Sequence, residues 1–241
     1  MRSMNAALKP IIRGQRVAIG NQNSKVIRAF VHWFDEDGDQ DIDITATYIG
    51  SDTTTIGWNG EHSTEYGCYS GDVRNRRGAC AEYVDIIVDE ALNHGYKYVV
   101  LDARNYTGDK LINVPDCVFG YMEREFAESN PIFVPETLAN TIRLQSESSS
   151  TIVVIIDLES REYIYLDIDQ DGIPVASSNT ESILAVIKHY AEMPKFSVYD
   201  LLKLHVDTRG MLVDNIDHAN LLCKVEDFSK SYVEILKWMG I

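Results

Sequence analysis

From Lys25 to about Ile173 the chain alternates short apolar runs with polar breaks. Val26 to Phe34, Ile42 to Ile49, Tyr83 to Val88, Tyr96 to Leu101, Thr151 to Asp157 and Tyr163 to Ile168 are rich in β-branched and aromatic residues, with Gly, Asn and Asp between them. Such side chains fill a pleated sheet surface, and the intervening residues turn the backbone, so the cadence predicts a mostly β protein, a β-sandwich. One pairing reads as local: Val153 to Asp157, a polar turn over Leu158-Glu159-Ser160-Arg161, and Glu162 to Leu166 form a predicted hairpin. After Asn179 the period becomes helical. Ile183, Leu184, Val186, Ile187 and Tyr190 share one face of a segment that stops before Pro194. Ser197 and Asp200 fit a capping box for a second helix through Leu201, Leu202, Leu204, His205 and Val206, with Gly210 placed to end it, and a third is predicted from about Phe228 to Met239. The expected organisation is a lead-in over 1–24, a sandwich over 25–178 and an α-helical tail over 179–241. No Gly/Ser linker separates the last two, so the tail is expected to pack on the sandwich as one body.

Composition narrows the function. A chain of 241 residues with 45% hydrophobic and 24% charged residues has the makeup of an ordinary folded domain. Its formal net charge of −15 repels a phosphate backbone and attracts cations, which argues against nucleic acid and for a divalent ion as the small partner. No apolar run approaches the ~20 residues of a membrane helix. The opening MRSMNAALKP lacks a signal-peptide core, so the expectation is a cytoplasmic protein without membrane insertion, either whole or the C-terminal part of a longer chain. Cys68, Cys80, Cys117 and Cys223 show no C-x-x-C pair and are read as reduced thiols.

Candidate chemistry lies in three places. In Asp35-Glu36-Asp37-Gly38-Asp39-Gln40-Asp41-Ile42-Asp43, six carboxylates fall within nine residues and run into a predicted strand. Like charges this close repel unless water or a shared cation screens them, and hard oxygen ligands favour calcium, with magnesium second. Strand alternation aims Asp41 and Asp43 at one face, making them candidate metal ligands; a solvated acidic turn is the plainer alternative. The segment Asp167-Ile168-Asp169-Gln170-Asp171-Gly172 matches the first half of a calcium loop, so Asp167, Asp169 and Asp171 are candidate ligands too. Its second half departs, with Pro174 at position eight and Ser178 at position twelve, and a polar turn is the alternative. Third, Tyr69-Ser70-Gly71-Asp72 precedes Arg74, Asn75, Arg76 and Arg77, whose guanidinium forks suit a phosphate or carboxylate ligand or else offset nearby acids. There is no G-x-S-x-G elbow, P-loop, G-x-G-x-x-G or H-E-x-x-H, so no catalytic residue and no organic cofactor is assigned.

These segments resemble the TerD-type tellurium-resistance and stress-response family. Asp41-Ile42-Asp43-Ile44-Thr45 is similar to the family's D-L-D-x-S strand, Tyr69-Ser70-Gly71-Asp72 to its H-S/T-G-D loop, and Asn105-Tyr106-Thr107-Gly108 to the S-Y-T-G turn of one branch. Lys9 to Val17, with an R-G-x-R stretch, and Tyr199 to Val206 with Arg209-Gly210 resemble a long bacterial branch that adds a helical tail. The resemblance implies a calcium-binding, non-enzymatic sandwich in cytoplasmic stress or tellurium-resistance systems, with Asp41, Asp43 and Asp72 as carried-over ligands. Two departures stand out: Gly78-Ala79-Cys80-Ala81-Glu82 keeps one carboxylate where the family has an acidic, glycine-rich loop, and Tyr69 replaces a histidine.

The resulting expectation is a metal-responsive module with a protein partner or self-association. Two rivals stand beside it. One is a scaffold whose helical tail mediates protein contacts without metal. The other is a phosphoester hydrolase with a dispersed site using Asp72, His62 or the arginines.

Overall fold

The computed structural model describes residues 13–19, 24–74, 76–133, 138–170, 180–192, 198–211 and 213–219. Twelve strands among them form two antiparallel sheets. The first sheet has the order β1 (Arg16–Ala18), β12 (Glu162–Gln170), β11 (Ser150–Asp157), β8 (Tyr96–Asn105), β3 (Ile42–Gly50) and β4 (Thr53–Ile56). The second runs β10 (Leu138–Arg143), β9 (Val118–Arg124), β2 (Val26–Asp35), β7 (Gly78–Ile87), β6 (Gly67–Tyr69) and β5 (Ser63–Thr64).

Alternation explains the packing. Ile27, Ala29, Val31 and Trp33 of β2 join Ile42, Ile44, Ala46 and Tyr48 of β3, Val84 and Ile86 of β7, and Val99, Leu101 and Ala103 of β8 in one buried cluster between the sheets. The opposite face of the first sheet is apolar as well. Ile49, Val100, Ile152, Ile155, Ile164 and Leu166 pack with Ile187 of a helix, Thr180–Glu192, so the central strands are buried on both sides. This double burial makes β11 read as an unbroken apolar run.

The predicted strands are all present, but their ends differ. β8 continues past Leu101 to Asn105, and β7 begins at Gly78, ahead of Tyr83. Val88, expected as strand, starts a short helix, α1 (Val88–Asn93). The β11–β12 hairpin turns at 158–161 as predicted. Thr180–Glu192 is therefore α2, and α3 is Val198–Arg209, after which the Gly210 amide donates to Val206 O at 2.7 Å. The third predicted helix, Ser197 and Cys223 lie outside the described residues. The chain divides into two compact units, Met1–Ala191 and Glu192–Ile241, and all of α2 but Glu192 falls in the first. The three described cysteines, Cys68, Cys80 and Cys117, are buried and free. No described helix is long and apolar enough to cross a membrane.

Candidate metal centre

The acidic run separates into distinct jobs. Asp35, at the end of β2, is buried and accepts from the Gly38 amide at 2.7 Å and the Gln40 amide at 3.1 Å, which closes the turn into β3. Gly38 sits at φ +86°, a left-handed backbone conformation that favours glycine. Glu36, Asp37 and Asp39 face solvent. The turn thereby delivers Asp41 and Asp43 to the start of β3, where Tyr106 N–H donates to Asp41 O at 2.7 Å. Asn105, buried at the end of β8, donates to Gln40 Oε1 at 2.8 Å and accepts from Thr107 Oγ1 at 2.7 Å, tying the same turn to β8.

Asp72 arrives from the second sheet. β6 ends at Tyr69, and the following loop is anchored to β7 by reciprocal bonds: the Ser70 amide to Tyr83 O and the Tyr83 amide to Ser70 Oγ, both 2.9 Å. Asp41, Asp43 and Asp72 each present a carboxylate oxygen, and these lie within 4.8 Å of one another. Asp41 Oδ1 and Asp72 Oδ1 are buried with no hydrogen-bond partner among the described residues. The only cation on the trio's carboxylates in the described hydrogen bonds is Arg74, whose Nε and Nη2 both donate to Asp72 Oδ2.

Electrostatics follow from this crowding. Burial, then the neighbouring Asp41 and Asp72 charges, push the Asp43 carboxyl up to about 7, against partial relief from Arg104 and Arg74. Burial and Asp72 raise Asp41 as well. Behind them, fully buried Asp102 of β8 is raised to about 8, by desolvation first and Asp43 second; its Oδ2 also lacks a described partner. Oxygen donors alone, several with unfilled lone pairs and mutually repelling charge, fit a hard divalent cation.

The other sequence candidates are placed elsewhere. Asp167 and Asp169 do not begin a loop: β12 continues through both to Gln170. Asp167 is buried, accepts from Arg13 Nη2 at 3.0 Å and from Thr151 Oγ1 at 3.3 Å, while Asp169 is exposed. Asp171 lies outside the described residues. The arginine run is dispersed, since Arg77 Nε donates to Asp37 O while Arg74 holds Asp72. His62 packs its ring on Tyr69, centroids 5.6 Å apart. Sequence reasoning assigned no role to Glu82, Asp102 or Asn105. For Glu82 the available signal was a charged residue at an inward position between apolar neighbours, Cys80 and Val84.

No protein-family model matches the sequence, and no curated protein matches it. Among solved structures, a homologue of the telluride resistance protein TerD from Streptomyces coelicolor A3(2) superposes with a TM-score of 0.50, at 12% identity, over 64% of this chain and 94% of that one. The fold is TerD-like. A protein of unknown function aligns at 13% identity over 62% of this chain and 94% of its own, with a TM-score of 0.46. At such identities the likeness is one of fold, and the case for the site rests on this chain's own residues.

Proposed function

We propose that this TerD-like chain is a non-enzymatic, divalent-cation-binding module of a cytoplasmic stress or tellurium-resistance system, with calcium the first candidate ion and magnesium the second. The observation that carries the reading is the convergence of Asp41, Asp43 and Asp72 from two sheets: one oxygen of each lies within 4.8 Å of the others, and Asp41 Oδ1 and Asp72 Oδ1 are buried with no partner among the described residues. A bound cation neutralises charges that otherwise repel, and it joins the 70–74 loop to the start of β3. That draws the two sheets together at one edge and presents a fixed surface to a partner protein.

A titration of metal-stripped protein tests it. Calorimetry with calcium is expected to give saturable binding that weakens in Asp72→Asn, with magnesium binding more weakly; absence of heat with either ion would remove the reading. A second reading, the metal-independent scaffold, is favoured by exposed apolar side chains: Phe126 and Phe133 after β9, and Leu204, Met211 and Ile216 in the second unit. It predicts self-association or partner capture that chelator leaves unchanged.

A further inference from the structure

Glu82 is the one acid of β7 that faces the apolar interior between the sheets. Its neighbours on that face, Cys80, Val84 and Ile86, belong to the buried cluster, and Glu82 itself is 0% exposed. Placing a carboxyl there costs free energy unless its oxygens are filled with donors. They are filled, and the donors come from three different segments. Oε1 accepts the Val73 amide at 2.8 Å, while Oε2 accepts Tyr69 Oη at 2.6 Å and the Ile44 amide at 3.4 Å.

Val73 follows Asp72 directly, and Ile44 follows Asp43 directly. Tyr69 closes β6, the strand from which the Asp72 loop departs. Ile44 also lies past the end of the β4 pairing, which covers Ala46 to Ile49 against Thr53 to Ile56, so its amide reaches a side chain and not a ladder carbonyl. One carboxyl of the second sheet therefore grips the backbone beside a candidate ligand from each sheet.

We propose that Glu82 is a positioning residue for the cation site: it holds the Asp72 loop and the Asp43 strand in register so that the three carboxylates meet before an ion arrives. The inference rests on the cation-binding reading above. Both Glu82 oxygens are occupied by protein donors, so its role is to orient the ligands, as supporting hydrogen bonds do around metal sites, and not to ligate. A glutamine at this place keeps the volume but has a single acceptor oxygen, so it holds either the Val73 or the Ile44 amide and presents its own N–H₂ to the other.

The test is calcium titration of the metal-stripped full chain by calorimetry, comparing wild type, Glu82→Gln and Tyr69→Phe, with thermal unfolding of each in chelator. The expected result is a dissociation constant raised roughly 10- to 100-fold in Glu82→Gln, the range for residues that orient metal ligands. Tyr69→Phe, which leaves both amide bonds in place, is expected to stay close to wild type. If wild type binds calcium and Glu82→Gln binds equally well, the positioning role is overturned while the cation reading survives; if wild type binds no cation, both fall. Should Glu82→Gln fail to fold, amide hydrogen exchange of metal-free wild type decides instead: protection of the Val73 and Ile44 amides supports the grip, and free exchange at both overturns it.

Discussion

Two carboxylate sites in this sandwich, one fully buried and one partly so, are built on opposite plans. On the outer face of the second sheet, Asp85 is 0% exposed and fully answered. Arg28 donates to it twice, Nε to Oδ1 at 2.7 Å and Nη2 to Oδ2 at 2.8 Å, and the Glu128 amide adds a third bond at 2.7 Å. The same guanidinium lies 3.9 Å over the Tyr83 ring and donates through Nη1 to Ser129 O and Ile132 O, pinning the loop after β9. At the edge between the sheets, Asp41, Asp43 and Asp72 crowd together with one exposed arginine among them. The first site carries its counter-charge in the sequence. The second offers one exposed arginine to three carboxylates, of which Asp43 is buried and Asp41 and Asp72 are half-buried, and such a surplus of negative charge is where an ion from solution has the most to contribute.

The contrast can be broken most forcefully at the self-sufficient site. Arg28→Met strands the buried Asp85 charge, and removal of one partner from such a pair costs ~3–5 kcal/mol. Urea unfolding is expected to show a loss of that size that added calcium does not restore. At the cation site the sign reverses. Asp43→Asn removes repulsion, so the metal-free chain is expected to keep or gain stability in the same assay while losing its response to calcium.

Acidity adds to the crowding around the cation site. In the folded, metal-free chain burial raises Asp43 to about 7 and Glu82 and Asp102 to about 8, whereas unfolded carboxylates titrate near 4. Asp41 moves in the same direction, and Arg74 and Arg104 oppose the shifts of the aspartates they face. Between pH ~4 and ~8 the folded state therefore holds more protons than the unfolded one, and stability falls as pH rises through that window. The urea midpoint in chelator is expected to be lower at pH 8 than at pH 5. Calcium, which takes the deprotonated carboxylates, is expected to narrow that gap.

Smaller effects sharpen the picture. Arg74→Gln frees Asp72 Oδ2 and is expected to tighten calcium a few-fold in calorimetry, whereas Arg77→Gln, an equal charge change whose donor goes to Asp37 O, is expected to do less. Smallest is Asp167→Asn. It gives up the pair with the largely exposed Arg13 and is expected to leave the calcium response unchanged.

How much of this was legible follows from where burial is local. β2, β3, β8, β11 and β12 could be read because their apolar residues run or alternate cleanly within one segment. Thr53–Ile56 and Ser63–Thr64 are short and polar, Leu138–Arg143 is a polar edge, and Val118–Arg124 breaks its apolar run with Gly120 and ends in charge, so none carries the clean signal of the central strands. Within the site, Asp41 and Asp43 were visible because two residues apart on a strand means one face. Asp72 was visible only through family resemblance, since its approach depends on the packing of one sheet on the other. Glu82's inward position could be read from its apolar neighbours, but its bond to Ile44 and Asn105's bond to Gln40 join segments far apart in sequence, which no local pattern encodes.

Thermal unfolding of metal-stripped protein in calcium, magnesium or chelator tests cation binding at Asp41, Asp43 and Asp72 most directly. An ion bound by the folded state alone, at 100 times its dissociation constant, adds ~2.7 kcal/mol. The predicted result is a calcium-dependent rise in Tm that Asp43→Asn abolishes, and a Tm that does not move with either ion would contradict it.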